Sequence, residues 1–214
     1  MIRLVCLILA ASAIGSSACD ASRPVLTKSL MAKSTSESDL DLLAAEAFID
    51  AFYSWDADAL TRTLDTATLP SEEAARVLYY QGWAEAGDYR IQNRRPCARS
   101  QDGRVECSIT VTDDIGKTLG YVATDVFHLS IEAGRIVGVA FDSDDPPVFD
   151  ELFAWMAKDR PEVFTGPCKD LFSGGTTPSP CVKAVVKAAR DFLIASPRND
   201  HPAVVRNPEE NEAK

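Results

Sequence analysis

Apolar residues between Asp39 and Trp55 recur at Leu42, Ala45, Ile49 and Phe52, with Phe48 and Trp55 beside them. Spacings of three and four predict an amphipathic helix with one buried stripe. The stretch "AFYSWDADAL" then breaks the pattern and restarts it, predicting a short second helix from Ala57 to about Leu64 that buries Leu60 and Leu64. Asp56 stands where its carboxylate caps the restart, and Asp58 adds negative charge to the first turn. A metal or sugar-nucleotide "DxD" site is the competing meaning of this pair, but capping already accounts for both residues. A third helix begins at "PSEEAARVL", with Ser71 as the expected N-cap and Glu72 and Glu73 in the first turn, and runs to about Ala86 before Gly87.

The period then changes from 3.6 to 2. Residues 89–95, 104–112, 119–131 and 135–142 read as four strands joined by turns at "SQDG", "DDIGK" and "EAG". Connections this short predict an antiparallel meander. A further helix starts in "DDPPVFDELFAWM", with Asp144 or Asp145 as cap and Phe149, Leu152, Phe153 and Met156 inward; another runs from about Val182 to Ile194. Helices followed by strands indicate an α+β fold, with the N-terminal helices on one face of a curved antiparallel sheet and extra helices at the C-terminus.

The first residues change the picture from fold to compartment. "MIRLVCLILAASAIGSSAC" has one positive charge at Arg3, an apolar run from Leu4 to Ile14, and small residues before Cys19. This is the pattern of an export signal, with an apolar run shorter than the roughly 20 residues that cross a bilayer. Ser16-Ser17-Ala18-Cys19 resembles a permissive bacterial lipobox, which makes Cys19 the lipidation site of a cell-envelope lipoprotein. Ser16-x-Ala18 also suits ordinary signal cleavage, which leaves a soluble periplasmic or secreted protein. Residues 1–18 are thus read as signal, 19–38 as a tether, 39–166 as the main domain, 167–195 as a disulfide loop with the C-terminal helix, and 196–214 as a polar, Pro-broken tail expected to be disordered.

Formal net charge is -10 for the 214-residue chain, and -11 once Arg3 is removed with the signal. That excess argues against nucleic acid and leaves a lipid anchor as the expected membrane contact. Cys97, Cys107, Cys168 and Cys181 lack the close pairs of zinc sites and are read as two local disulfides, Cys97 with Cys107 across the "SQDG" hairpin and Cys168 with Cys181 around "KDLFSGGTTPSP". No metal site is expected: Asp142, Asp144 and Asp145 lack the glycine and closing glutamate of a calcium loop. No cofactor is expected either, since GxGxxG, P-loop and GxSxG motifs are absent.

Two segments, "AFIDAFYSWDADALTRTL" and "TDVFHLSIEAGRIVGVAF", together with the order of elements between them, resemble the nuclear-transport-factor-like superfamily. This is the cone-shaped α+β fold of SnoaL-like proteins, ketosteroid isomerases and scytalone dehydratases. The resemblance spans residues 39 to 158. It implies helices closing one end of a curved sheet around a pocket, and little about activity, because one fold hosts many functions.

Within the third predicted strand, Tyr121, Ala123, Asp125, Phe127, Leu129 and Ile131 share the core-facing parity, so Asp125 is predicted among buried residues. A buried carboxylate is paired, hydrogen-bonded or protonated, and its raised pKa suits a general acid or base. The resemblance implies the same residue: in ketosteroid isomerases a pocket Asp precedes a Phe by two positions, as Asp125 precedes Phe127. Phe48 stands where that family has its catalytic Tyr, and no counterpart of its base Asp is found. The expected pocket consists of Phe48, Phe52, Trp55, Asn93, Arg95, Tyr121 and Phe127 around Asp125, with Asn93 or Arg95 as its partner. His128 has the opposite parity.

Three functions follow. The first is an exported, lipid-anchored binding domain without complete catalytic machinery that takes a small apolar ligand or a partner. The second is an isomerase or lyase using Asp125 as acid or base. The third is a structural envelope subunit that forms a homodimer through the outer sheet face at Val122, Val126 and His128.

Overall fold

Helix α1 (Glu37–Phe52) ends where Trp55 turns the chain at a left-handed φ of 63°. The Asp56 carboxylate then accepts the Ala59 N–H at 2.9 Å and starts α2 (Ala57–Thr63), the cap its position predicts. The computed structural model describes residues 37–169, 171 and 178–196. The export signal, Cys19, the tether, most of the second cysteine loop and the C-terminal tail beyond Ser196 lie outside the described residues.

Helix α3 (Ser71–Ala86) departs from expectation at its start. Pro70 holds the cap position and accepts the Glu73 and Ala74 N–H groups at 3.0 Å through its carbonyl, so Ser71 is the first helical residue and makes no cap bond. Glu73 instead reaches across to the Val139 N–H, 2.5 Å away.

Five strands form one open antiparallel sheet: β1 (Arg90–Arg94), β2 (Ala98–Arg99), β3 (Val105–Thr112), β4 (Ala123–Glu132) and β5 (Arg135–Ser143), in order β1-β3-β4-β5, with β2 also on β3. The predicted first strand is β1, and beyond Pro96 a two-residue strand that was not predicted, β2, also pairs with β3. The predicted third strand starts four residues late, because Asp114–Leu119 form a helix, α4, in place of a turn. Asp113 caps it, accepting the Gly116 N–H at 2.6 Å, and Gly120 ends it at a φ of 81°, while Ile115 and Leu119 are buried four residues apart. Helices α5 (Pro147–Asp159), α6 (Pro161–Thr165) and α7 (Pro178–Ala195) complete the chain. Pro146 holds the cap position of α5 without a side-chain bond, so neither Asp144 nor Asp145 caps it. The Asp144 carboxylate accepts the Thr124 N–H instead.

Both predicted disulfides are present, Cys97–Cys107 and Cys168–Cys181. The first hairpin is also tied to α1. Glu46 accepts the Cys97 N–H at 2.6 Å and pairs with Arg94, while buried Asp41 pairs with Arg99. Carboxylates of the same chain therefore engage much of the arginine cluster around 90–104, with Asp88 and Asp102 taking Arg90 and Arg104.

Two apolar cores result. One packs α1 and α2 on the sheet through Phe48, Ile49, Leu60, Ile109 and Phe127. The other joins α3 to α4, α5, α6 and α7 through Trp83, Ile115, Met156, Val185 and Phe192, so the C-terminal helix completes a core begun by α3. A cleft lined by residues of both cores lies along the seam between them. Among the described residues no helix is long and apolar enough to cross a membrane. The two disulfides fit a compartment in which such bonds persist.

Candidate functional site

Strand β4 alternates as its sequence predicts: Ala123, Asp125, Phe127 and Leu129 are buried, and the residues between them are partly exposed. Asp125 is 3% exposed, and its Oδ2 accepts the Tyr53 hydroxyl at 2.8 Å. Tyr53 lies just past the end of α1, braced by Phe52 at 5.1 Å and Trp55 at 5.9 Å between ring centroids. Above this pair opens a cleft of about 110 Å³. Its walls are largely aromatic, with Phe52, Trp83, Tyr89, Tyr121, Phe141 and Phe149 among them, and Asp113 and Asp145 join Asp125 in the lining. Among the described residues no Lys, Arg or His lines it.

Each acid arrives by a different route. Asp125 comes from the middle of β4, Asp113 from the cap of α4, and exposed Asp145 from the turn before α5. Gly116 keeps Asp113 in place: a Cβ there would sit 2.9 Å from its Oδ1 and 2.7 Å from the Tyr121 carbonyl oxygen. Asp113, 6% exposed, spends Oδ1 on its cap. The remaining oxygens, Oδ2 of Asp113 and Oδ1 of Asp125, make no hydrogen bond among the described residues, yet neither is sealed from the cleft.

Burial in this low-dielectric seam pushes the Asp125 carboxyl up from 3.8 to about 7, against the Tyr53 hydrogen bond that favours its charged form, with Asp145, Asp113 and Asp144 adding repulsion. Burial likewise raises Asp113 to about 6, opposed by the Gly116 N–H and helped by Asp145 and Asp114. Although its residue is exposed overall, the Asp145 carboxyl is shifted upward by the desolvation of the cleft it lines and by Asp144, against a hydrogen bond from Ser143. Tyr53, Tyr89 and Tyr121 are all raised, burial being the largest cause and neighbouring carboxylates the next, so the phenols keep their protons. Near neutrality the cleft therefore holds carboxyl groups that exchange protons in the physiological range.

Of the residues expected in a pocket, Phe52, Tyr121 and Asp125 line this cleft. Phe127 lines an adjoining hollow of about 260 Å³ that shares Phe52, Tyr80 and Phe141 and carries Arg76. Phe48 lies in the core beneath, 5.8 Å from Phe127 between ring centroids, and Trp55 packs on Tyr53 without lining the cleft. Asn93 and Arg95 are exposed and outside the cleft, contrary to their place in the expected pocket. A bulge between Ile91 and Asn93 shifts the register, so that Arg94 stands opposite the core residue Ile109 and turns to α1. The partner of Asp125 is Tyr53 instead. Arg95 borders a separate surface hollow with Pro96, Glu106 and Ser108.

Trp83, Tyr89, Asp113, Asp145 and Phe149 were absent from the expected site. Asp113 had a readable signal, since Asp-x-x-Gly before Ile115 and Leu119 is a capped helix start. The meeting of β4 with α4 and α5 had none. On the outer sheet face Val122 is 56% exposed, and His128 lies between Glu106 and Asp142, at 3.7 and 3.2 Å.

Among the described residues, no group of three or more His, Cys, Asp or Glu side chains is placed to hold a metal ion. Comparison with known proteins finds no family model that matches the chain, and no similar curated protein or solved structure.

Proposed function

We propose that the chain is a small-ligand-binding domain of the nuclear-transport-factor-like cone, exported and held at a membrane by a lipid on Cys19. The observation that carries the binding role is the aromatic-walled cleft reaching a buried carboxyl that a tyrosine holds in position. Its volume sets the scale of the ligand. An apolar cavity of roughly 150 Å³ accommodates benzene, so the enclosed space of about 110 Å³ takes somewhat less than a full ring, and a single-ring or branched aliphatic ligand would extend into the open mouth. For the cone, support comes from α1 lying across the sheet and from the long β4–β5 pair following the helices.

The test is an NMR titration with benzyl alcohol, which has eight non-hydrogen atoms. A Kd on the order of 1 mM corresponds to about 0.5 kcal/mol per atom, well within what good small ligands achieve. Saturable shifts are expected at Trp83, Tyr89 and Asp125. They should be lost in Ala123→Phe, which fills the cleft from β4. Unchanged spectra in the wild type, or equal binding by the filled variant, would refute the reading.

A second reading, an isomerase or lyase with Asp125 as acid or base, is favoured by one observation: a carboxyl near pKa 7 with one oxygen open to the cleft. Of the partners it calls for, Tyr121 lines the cleft, whereas Asn93 and Arg95 lie outside it. Binding therefore ranks first.

A further inference from the structure

A cleft suited to a neutral apolar ligand has no need of three acids, and each acid here comes at a cost. Asp125 and Asp113 are 3% and 6% exposed, and among the described residues no basic side chain lines the cleft and each acid keeps an unbonded oxygen toward it. Buried carboxyls without a counter-charge are ordinarily replaced by apolar residues or paired with Arg or Lys. Lys117, a cation whose charge acts on Asp113, is committed outside to Asp88 and Asp114 at 2.8 and 3.2 Å. The aromatic walls offer ring faces, whose negative quadrupole also attracts positive charge. The acids do not converge on one point as metal ligands do. They are spread around a box of rings. We propose that the cleft binds a small organic ammonium ion, with the charge among Asp113, Asp125 and Asp145 and an apolar body about the size of one ring against Trp83, Tyr89 and Phe149.

This inference rests on the binding reading above and adds the ligand's charge. An ammonium N–H would donate to Oδ1 of Asp125 or Oδ2 of Asp113, filling the acceptors the fold leaves open. Ligand charge also replaces the missing counter-charge, so binding draws protons off the acids. The groups facing them are Tyr53 after α1, Tyr89 before β1, Lys117 and Asp114 on α4, Tyr121 before β4, and Asp144 and Asp145 before α5. Among these the phenols stay neutral. Affinity for a cation therefore falls as pH drops through the range in which Asp125 and Asp113 take up protons, about 7 and about 6.

Calorimetric titration at pH 8 with benzylamine, benzyl alcohol and benzoate separates charge from shape, since the three share one ring. The amine is protonated there and should bind ten- to a hundredfold more tightly than the alcohol, the range of one charge-assisted hydrogen bond with ring contacts. Benzoate should bind more weakly than either. Asp125→Asn keeps an acceptor for Tyr53, and Asp113→Asn keeps one for Gly116, so each should fold as the wild type does while the amine loses most of its advantage over the alcohol. Equal affinity of amine and alcohol in the wild type, or an advantage that survives the double variant, overturns the cation proposal and leaves the cleft reading standing. Failure of all three compounds to bind overturns both.

Discussion

Replacing Asp125 with Asn should make this protein more stable at alkaline pH, against the usual direction for a buried residue. The carboxyl is raised from 3.8 to about 7 in the folded chain. A raised acid contributes stability that is fully present below the unfolded value, declines as pH rises, and is gone above the folded value, because the folded state holds the proton more tightly. At about 1.4 kcal/mol per pH unit the full span comes to about 4 kcal/mol, of which roughly 2 to 3 kcal/mol falls between pH 5 and pH 8. Asn cannot ionise, and its side-chain oxygen still accepts from Tyr53. Urea denaturation of both proteins at pH 5 and pH 8 measures the effect as a difference of differences, in which most of the titration of Asp113 and Asp145 cancels. The variant should gain on the order of 2 kcal/mol relative to wild type on going from pH 5 to pH 8. A relative stability that does not change with pH, or that moves toward the wild type, would show that the carboxyl ionises normally and that burial does not govern the site. The gain in stability should coincide with loss of the amine's advantage over the alcohol, the trade expected of a group kept for function.

Tyr53→Phe removes the hydrogen bond that favours ionised Asp125, so the Asp125 carboxyl should titrate above its wild-type value of about 7, read from its side-chain carbon shift, at a cost of about 1 to 3 kcal/mol in stability at pH 8. Gly116→Ala forces a methyl against the Tyr121 carbonyl and Asp113 at 2.7 and 2.9 Å, and urea denaturation should report a loss of about 1 to 3 kcal/mol, with the cleft resonances of Tyr121 displaced. Replacing Cys168 and Cys181 together by Ser should lower stability by about 3 kcal/mol through the freed loop, measured under conditions that leave Cys97–Cys107 oxidised.

Where one element's own residues decide the outcome, the sequence was readable. The stripe of α1, the cap at Asp56, the alternation that buries Asp125 and the pairing of nearby cysteines all depend on a few neighbouring positions. Reading failed where a single residue changes register or where elements distant in the chain meet. One bulge after Ile91 exchanged Arg95 for Arg94 on the helix-facing side and moved Asn93 out of the expected pocket. Tyr53 was visible beside Trp55, but only the left-handed turn at Trp55 and the docking of α1 on β4 bring its hydroxyl to Asp125. Asp145 looked like a cap because Pro146 and Pro147 announce a helix, yet Pro146 already holds that position and the carboxylate is free to face the cleft. The second core, formed when α7 packs against α3 and α4, fixes the wall carrying Trp83, and no local period announces it.

The most direct test of the central claim is a crystal structure of the protein soaked with benzylamine at pH 8. The account predicts the ring between Trp83, Tyr89 and Phe149, with the ammonium nitrogen within hydrogen-bond distance of Oδ1 of Asp125 or Oδ2 of Asp113. An empty cleft at saturating amine, or an amine bound only on the outer sheet face, would contradict it.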